Sequence, residues 1–95
     1  MSIHFAWEQA KEAKNIRKHE GVTFAEAATV FRDQLAYIFD DEAHSNTEQR
    51  ELIIGYSDHN RLLIVSFTER NQVIRIISAR KVNARERADY EQACR

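Results

Sequence analysis

Residues 49–81 read QRELIIGYSDHNRLLIVSFTERNQVIRIISARK, and this stretch decides the fold. It holds three runs rich in β-branched and aromatic residues, around 49–56, 61–69 and 72–81. Ser57-Asp58-His59-Asn60 separates the first two runs with turn chemistry, and the tight Arg70-Asn71 link separates the last two. Links this short make antiparallel hairpins, because a parallel crossover needs about a dozen residues or more. In the last run Ile74, Ile76, Ser78 and Arg80 alternate onto one face, and Val73, Arg75, Ile77 and Ala79 onto the other. Both faces carry apolar side chains, so alternation alone does not say which one faces the helices.

Upstream, Leu35 to Asp40 is a short β-forming segment, followed by the polar, acidic loop from Asp40 to Thr47. Thr23-Phe24-Ala25-Glu26 has capping-box form: the Thr23 hydroxyl for the Glu26 N–H, and the Glu26 carboxylate reaching back. Phe24, Ala27, Ala28 and Phe31 then fall at i, i+3, i+4 and i+7, a core-facing stripe. Residues 8–19 form an earlier helix, with Ala10, Ala13 and Ile16 expected inward and Gly21 as its stop. Lys11, Lys14 and Lys18 make a basic stripe on another face of it. The segment from Ile3 to Trp7 reads as a first strand. At the other end Asn83, with Glu86 three residues on, caps a final helix. That helix is mostly polar, so it should dock weakly or wait for a partner. The order is β-α-α-β-β-β-β-α, an α+β domain whose curved antiparallel sheet packs on the first two helices.

Ninety-five residues suffice for one core, so 1–95 is one domain, with 83–95 as an exposed C-terminal helix. Two Gly, no Pro and 43% hydrophobic residues exclude collagen-like and disordered classes. The longest apolar runs, such as Leu62 to Val65, are too short to span a membrane. The opening MSIHFAWEQ lacks the regions of a signal peptide, and the single Cys94 suits a reducing compartment, so a cytoplasmic location is expected. The net charge of −1 conceals an asymmetry: −3 over residues 1–50 and +4 over 61–95. Seven of the fourteen basic residues are Arg after position 60, and Arg holds phosphate in a bidentate fork.

His4, His19, His44 and His59 are isolated, without metal-ligand spacing, and Asp40-Asp41-Glu42 reads as an acidic surface loop. No GxGxxG, Walker motif or nucleophile elbow is present, so neither metal nor cofactor is expected. What remains is phosphate chemistry without a metal. RNA cleavage of that kind needs a base for the 2′-hydroxyl, cations for the charged transition state, and an acid for the leaving 5′-oxygen. Arg80, Arg75, Arg61, Arg70 and the Lys18-His19 pair could supply this set. The ordinary imidazole pKa suits His19 to proton transfer, although a His beside Gly at a helix end also serves as a carbonyl partner. Trp7 and Tyr90 could stack on bases, but a Trp in such a position is more often core.

The ordered set Phe5-Ala6-Trp7, Lys11, Asn15, Lys18-His19-Glu20-Gly21-Val22-Thr23-Phe24 and Glu26-Ala27 resembles the opening of the BrnT toxins. Phe31-Arg32-Asp33, His44-Ser45, Arg50 and Ile54-Gly55 continue the likeness. Arg61 to Val65, Thr68-Glu69-Arg70, Ile74 to Lys81, Arg85-Glu86 and Tyr90 complete it over nearly the whole chain. Members commonly carry Pro at the positions of Gln9 and Gln34, where Pro presets φ but does no chemistry. The resemblance implies a RelE-like fold and the toxin half of a bacterial type II toxin–antitoxin pair, inhibiting translation by metal-independent RNA cleavage. It implies a BrnA-like antitoxin whose ribbon-helix-helix part binds operator DNA. Arg80, Arg61, Arg70, His19 and Lys18 are then the expected catalytic residues, and Arg75, Lys11, Lys14, Lys81 and Arg85 the expected RNA contacts. Arg80 and Arg70 end one strand about ten residues long, roughly 30 Å apart if straight, so both cannot hold one phosphate. Arg80 is expected at the scissile phosphate with Arg61 beside it across the ladder. The rival reading is a non-catalytic module of the same shape, acting as antitoxin partner and co-repressor.

Overall fold

The computed structural model describes residues 3–44 and 49–93; Ser45, Cys94 and Arg95 lie outside them. The order is β1 (His4–Ala6), α1 (Gln9–Lys18), α2 (Phe24–Thr29) with a 3₁₀ turn at Val30–Arg32, and β2 (Tyr37–Asp40). A 3₁₀ turn at Glu42–His44, β3 (Glu51–Tyr56), β4 (Leu62–Arg70), β5 (Val73–Lys81) and α3 (Ala84–Ala93) follow. The strands form one open sheet in the order β1-β5-β4-β3-β2. It is antiparallel from β2 to β5, whereas β1 joins the β5 edge in parallel. The whole chain between β1 and β5 forms their connection, so no hairpin dictates the direction of β1.

β4 is central because its apolar run is buried on both sides from Leu62 to Thr68. Leu63, Val65 and Phe67 pack with Val22, Phe24, Ala27 and Val30 on the α1/α2 side. Leu62 and Ile64 pack with Ile54 and Tyr90 on the α3 side. The last helix therefore docks on the sheet's second face, more firmly than its polar sequence suggests. Tyr90 is buried, packs edge-on against Tyr56, and donates its hydroxyl to Asp33 Oδ2 at 2.8 Å. Asn83 and Glu86 complete a reciprocal capping box at the start of α3.

Simple alternation fails in β5. Ser66 pairs with Ser78 but Phe67 pairs with Ile76, so Ile77 is an extra residue with no partner opposite. Ile74 and Ile76 lie in the helix-side core, and after this bulge Ala79 joins them there. Ser78 and Arg80 consequently turn to the α3 side. The two-residue turn beyond β4 is Asn71-Gln72, both at positive φ (53° and 67°), one position later than the sequence suggests.

α1 is held by polar groups. Ala10, Ala13 and Ile16 are exposed, contrary to the periodic reading, and Asn15 is the buried residue. β1 covers β5 only as far as Arg75, leaving the rest of that edge open. Asn15 closes it like a fragment of strand: its Oδ1 accepts the Ala79 N–H at 3.0 Å, and its Nδ2 donates to the Ala79 carbonyl at 2.8 Å. The same Nδ2 donates to the Val22 carbonyl at 3.0 Å, tying down the turn after the helix. In the α2 cap Thr23 accepts the Glu26 N–H as expected, but Glu26 does not reach back. Glu12 of α1 accepts the Phe24 N–H, the first of the helix, and Glu26 points to Arg61 and Ser57.

Candidate functional site

Asn15 places one face of α1 along the open edge of β5. Lys11, Lys14 and Lys18 share that face at i, i+3 and i+7, so pinning Asn15 sets the lysines beside the edge. Together with His19, Ile77 and Ser78 they line a shallow groove. Ile77 and Ser78 also belong to a second depression, a cleft of about 480 Å³ under α3, which contains Arg80. The two hollows share Ile77 and Ser78 along a strip of the β5 edge, and the bulge at Ile77 is what turns Ser78 and Arg80 to the cleft side.

His19 ends α1, donating its N–H to the Asn15 carbonyl at 2.8 Å. The chain then turns through left-handed backbone at Glu20 (φ 54°) and Gly21 (φ 77°), which fits Gly21 as the helix stop. Burial of the imidazole, together with the charges of Lys18 and Arg80 nearby, holds its pKa below the ordinary 6.5. That direction favours the neutral form of the His19 imidazole.

Arg80 lies flat against Glu86. Its Nη1 and Nη2 donate to the two carboxylate oxygens at 2.8 and 2.7 Å, and Nη1 also donates to the Lys81 carbonyl at 3.2 Å. The Arg80 fork holds the Glu86 carboxyl below its ordinary 4.5, against the opposing effect of burial. Among the described hydrogen bonds none uses the Nε–H or the second Nη2 hydrogen. This side-on edge of the guanidinium has the spacing of two phosphate oxygens. Glu86 therefore fixes the orientation of Arg80 and leaves these two donors unused among the described hydrogen bonds.

The structure brings Arg80, His19, Lys18, Lys11 and Lys14 to this strip, and Arg85 to the cleft. It does not bring Arg61. Ile64, rather than Arg61, lies opposite Arg80. Arg61 precedes β4 and forks onto the buried Glu26, with Nε to Oε2 at 2.9 Å and Nη2 to Oε1. Ser57 donates to the same carboxylate at 2.6 Å. Arg70 is exposed at the far end of β4, opposite Val73. Arg75 pairs on the surface with Glu8 at 2.5 Å, and Lys81 with Glu20 at 3.7 Å. Tyr90 is core, not a stacking platform, and Trp7 packs edge-on against Phe24. Three contributors escape a sequence reading: Ser78, Asn15 and Glu86. Only Glu86 leaves a local signal, its position in the capping box. Among the described residues no group of three or more His, Cys, Asp or Glu could hold a metal ion, and no helix is long and apolar enough to cross a membrane.

An imidazole biased toward its neutral form, a guanidinium held in orientation and a row of ammonium groups suit a phosphodiester that carries a proton to be removed. Comparison with known proteins points the same way. Residues 7–86 match the model of a family described as "Ribonuclease toxin, BrnT, of type II toxin-antitoxin system". Among solved structures the fold is similar to that of the Brucella abortus ribonuclease toxin BrnT. The TM-score is 0.65 at 22% identity, over 86% of this chain and 99% of that one. No curated relative matches.

Proposed function

The chain belongs to the BrnT family of ribonuclease toxins of type II toxin–antitoxin systems, and from that premise we propose that it cleaves RNA without a metal at the β5 edge. The observation that carries this reading is that Lys18 and His19 line a groove at Ile77 and Ser78, the same two residues that line the cleft holding Arg80.

In the proposed reaction neutral His19 takes the proton of a ribose 2′-hydroxyl, whose oxygen attacks the adjacent phosphorus. The bond from phosphorus to the 5′-oxygen breaks, and Lys18 protonates that oxygen as it leaves. The products are a 2′,3′-cyclic phosphate and a 5′-hydroxyl. The side-on edge of Arg80 takes two non-bridging oxygens as charge gathers on them, the role for which a preorganised donor is worth about 10²–10³ in rate. Lys11 and Lys14 continue the positive strip toward flanking phosphates, and Arg85 approaches from α3. Arg70, Arg75 and Lys81 sit away from this centre and serve flanking RNA or the antitoxin. Because His19 must be neutral to act, cleavage should rise with pH through a value below 6.5 and then level off.

The proposed partner is a BrnA-like antitoxin in the bacterial cytoplasm, through whose ribbon-helix-helix part the complex reaches operator DNA. Induced expression should arrest growth, with RNA degraded, and the cognate antitoxin should restore growth. Undisturbed growth with folded, soluble protein present would overturn the ribonuclease reading.

A further inference from the structure

The helices leave part of the sheet's inner face bare. A hollow of about 800 Å³ stands there, and no residue of α1 or α2 lines it. Its floor is Ile53 of β3, Phe67 of β4 and Ile74 of β5, all members of the main core. Ile3 beside β1 and Ile38 of β2 stand at its two ends, 54% and 50% exposed. β1 and β2 are the outermost strands of five, so these ends lie roughly 19 Å apart at about 4.8 Å per strand. That length takes a helix of about thirteen residues or an extended segment of about six.

The rim is acidic. Asp33, Glu51 and Glu69 line the hollow and no Lys or Arg does, although Arg32 and Arg70 are exposed beside it, outside the lining. Asp33 is engaged by the Leu35 and Tyr56 N–H groups and by the Tyr90 hydroxyl. Glu51 and Glu69 enter no ion pair among the described residues. An apolar floor inside a charged rim is the form of a protein-docking surface. RNA is a poor occupant, because the carboxylates repel its phosphates. A second copy docked through the same face would set acidic rim against acidic rim.

The strip that carries Lys18 and His19 meets β5 further along, at Ile77 and Ser78, and shares no residue with the hollow. A toxin of a type II system has an antitoxin as its protein partner. We infer that the antitoxin docks in this hollow through an amphipathic basic segment, with apolar side chains on Ile38, Phe67 and Ile74 and Lys or Arg side chains on Glu51 and Glu69. The inference rests on the toxin–antitoxin reading. Docking there is separable from cleavage by substitution, because the two surfaces have different residues.

The test uses the full chain and its cognate antitoxin, both purified, with antitoxin affinity and RNA cleavage measured on each variant. Ile38→Lys and Glu69→Lys, both at exposed positions, should each weaken antitoxin binding by at least about tenfold, since each sets a like charge against a basic segment. Both should cleave RNA at the wild-type rate, which also shows that they fold. Glu91→Lys, the same charge change on exposed α3, should bind as the wild type does. Wild-type affinity in both hollow variants, or an equal loss in Glu91→Lys, would overturn the docking site. So would self-association of the toxin alone that the hollow variants abolish, because the occupant would then be a second copy. Failure of the wild-type protein to bind its antitoxin at all would instead overturn the toxin–antitoxin reading.

Discussion

Asn15→Ala should be among the most damaging single changes on α1, although nothing in the helix periodicity marks the position as core. The Asn15 amide supplies three hydrogen bonds, to the Ala79 N–H, the Ala79 carbonyl and the Val22 carbonyl, at 2.8–3.0 Å. Asn15 is 5% exposed and Ala79 fully buried, so water cannot replace the lost partners without opening the edge. An orphaned buried backbone group costs about 1–3 kcal/mol. With one N–H and two carbonyls affected, and some relaxation, the expected loss is about 3 kcal/mol. For a domain of this size that lowers the melting temperature by roughly 12–20 °C. Asn15→Asp should do no better, since its second oxygen would face two carbonyls. Ile16→Ala, at an apolar but exposed position, should cost under about 1 kcal/mol. Thermal and urea unfolding followed by circular dichroism measures all three. If Ile16→Ala were the costlier change, or Asn15→Ala cost under about 1 kcal/mol, the reasoning about the β5 edge would be refuted.

Gly55 sits where an added Cβ would come within 3.0–3.1 Å of Val30, Ala36 and Asp33, so Gly55→Ala should lose about 1–3 kcal/mol in the same unfolding assay. Glu26, Asp33 and Glu86 are all held below their ordinary carboxyl values, Glu26 chiefly by Arg61 and Glu86 chiefly by Arg80. For Asp33, burial pushes upward and is outweighed by hydrogen bonds from Tyr56, Leu35 and Tyr90. Groups shifted downward stabilise the fold fully above about pH 4.5, and that stability should drain away as the pH falls through the lowered values. Glu26→Gln should flatten the acid limb of a pH titration of stability. At neutral pH it should cost about 2–3 kcal/mol, less than for a fully enclosed pair because Arg61 reaches solvent. Arg61→Ala should destabilise the protein comparably yet leave the folded fraction cleaving RNA. Arg80→Ala should do the reverse, losing under about 1 kcal/mol and about 10²–10³ in cleavage rate, read by unfolding and RNA turnover side by side.

The elements were legible where local chemistry sets them. Thr23 and Asn83 announce their helix starts through cap residues, and Ser57 to Asn60 announces a turn through residues that tolerate tight backbone. What escaped depends on partners far along the chain. The bulge at Ile77 is a mismatch between two strands, and neither strand alone encodes it; without it, Arg80 would face the helices. The Arg61–Glu26 pair joins positions 35 apart, so Arg61 reads as one more free cation until Glu26 is placed. Asn15 is one polar residue among many on α1, and its role appears only once β1 proves too short to cover β5. The Lys11, Lys14 and Lys18 stripe was visible from spacing, whereas its position beside Ser78 was not.

The most direct test is to incubate purified protein with RNA in excess EDTA and to identify the new ends, with Arg80→Ala and His19→Ala alongside. Cleavage that persists in chelator, leaves 2′,3′-cyclic phosphate and 5′-hydroxyl ends, and collapses in both folded variants is the predicted result. Cleavage that vanishes with EDTA, returns with Mg²⁺ and leaves 3′-hydroxyl ends would contradict the mechanism built on His19, Lys18 and Arg80.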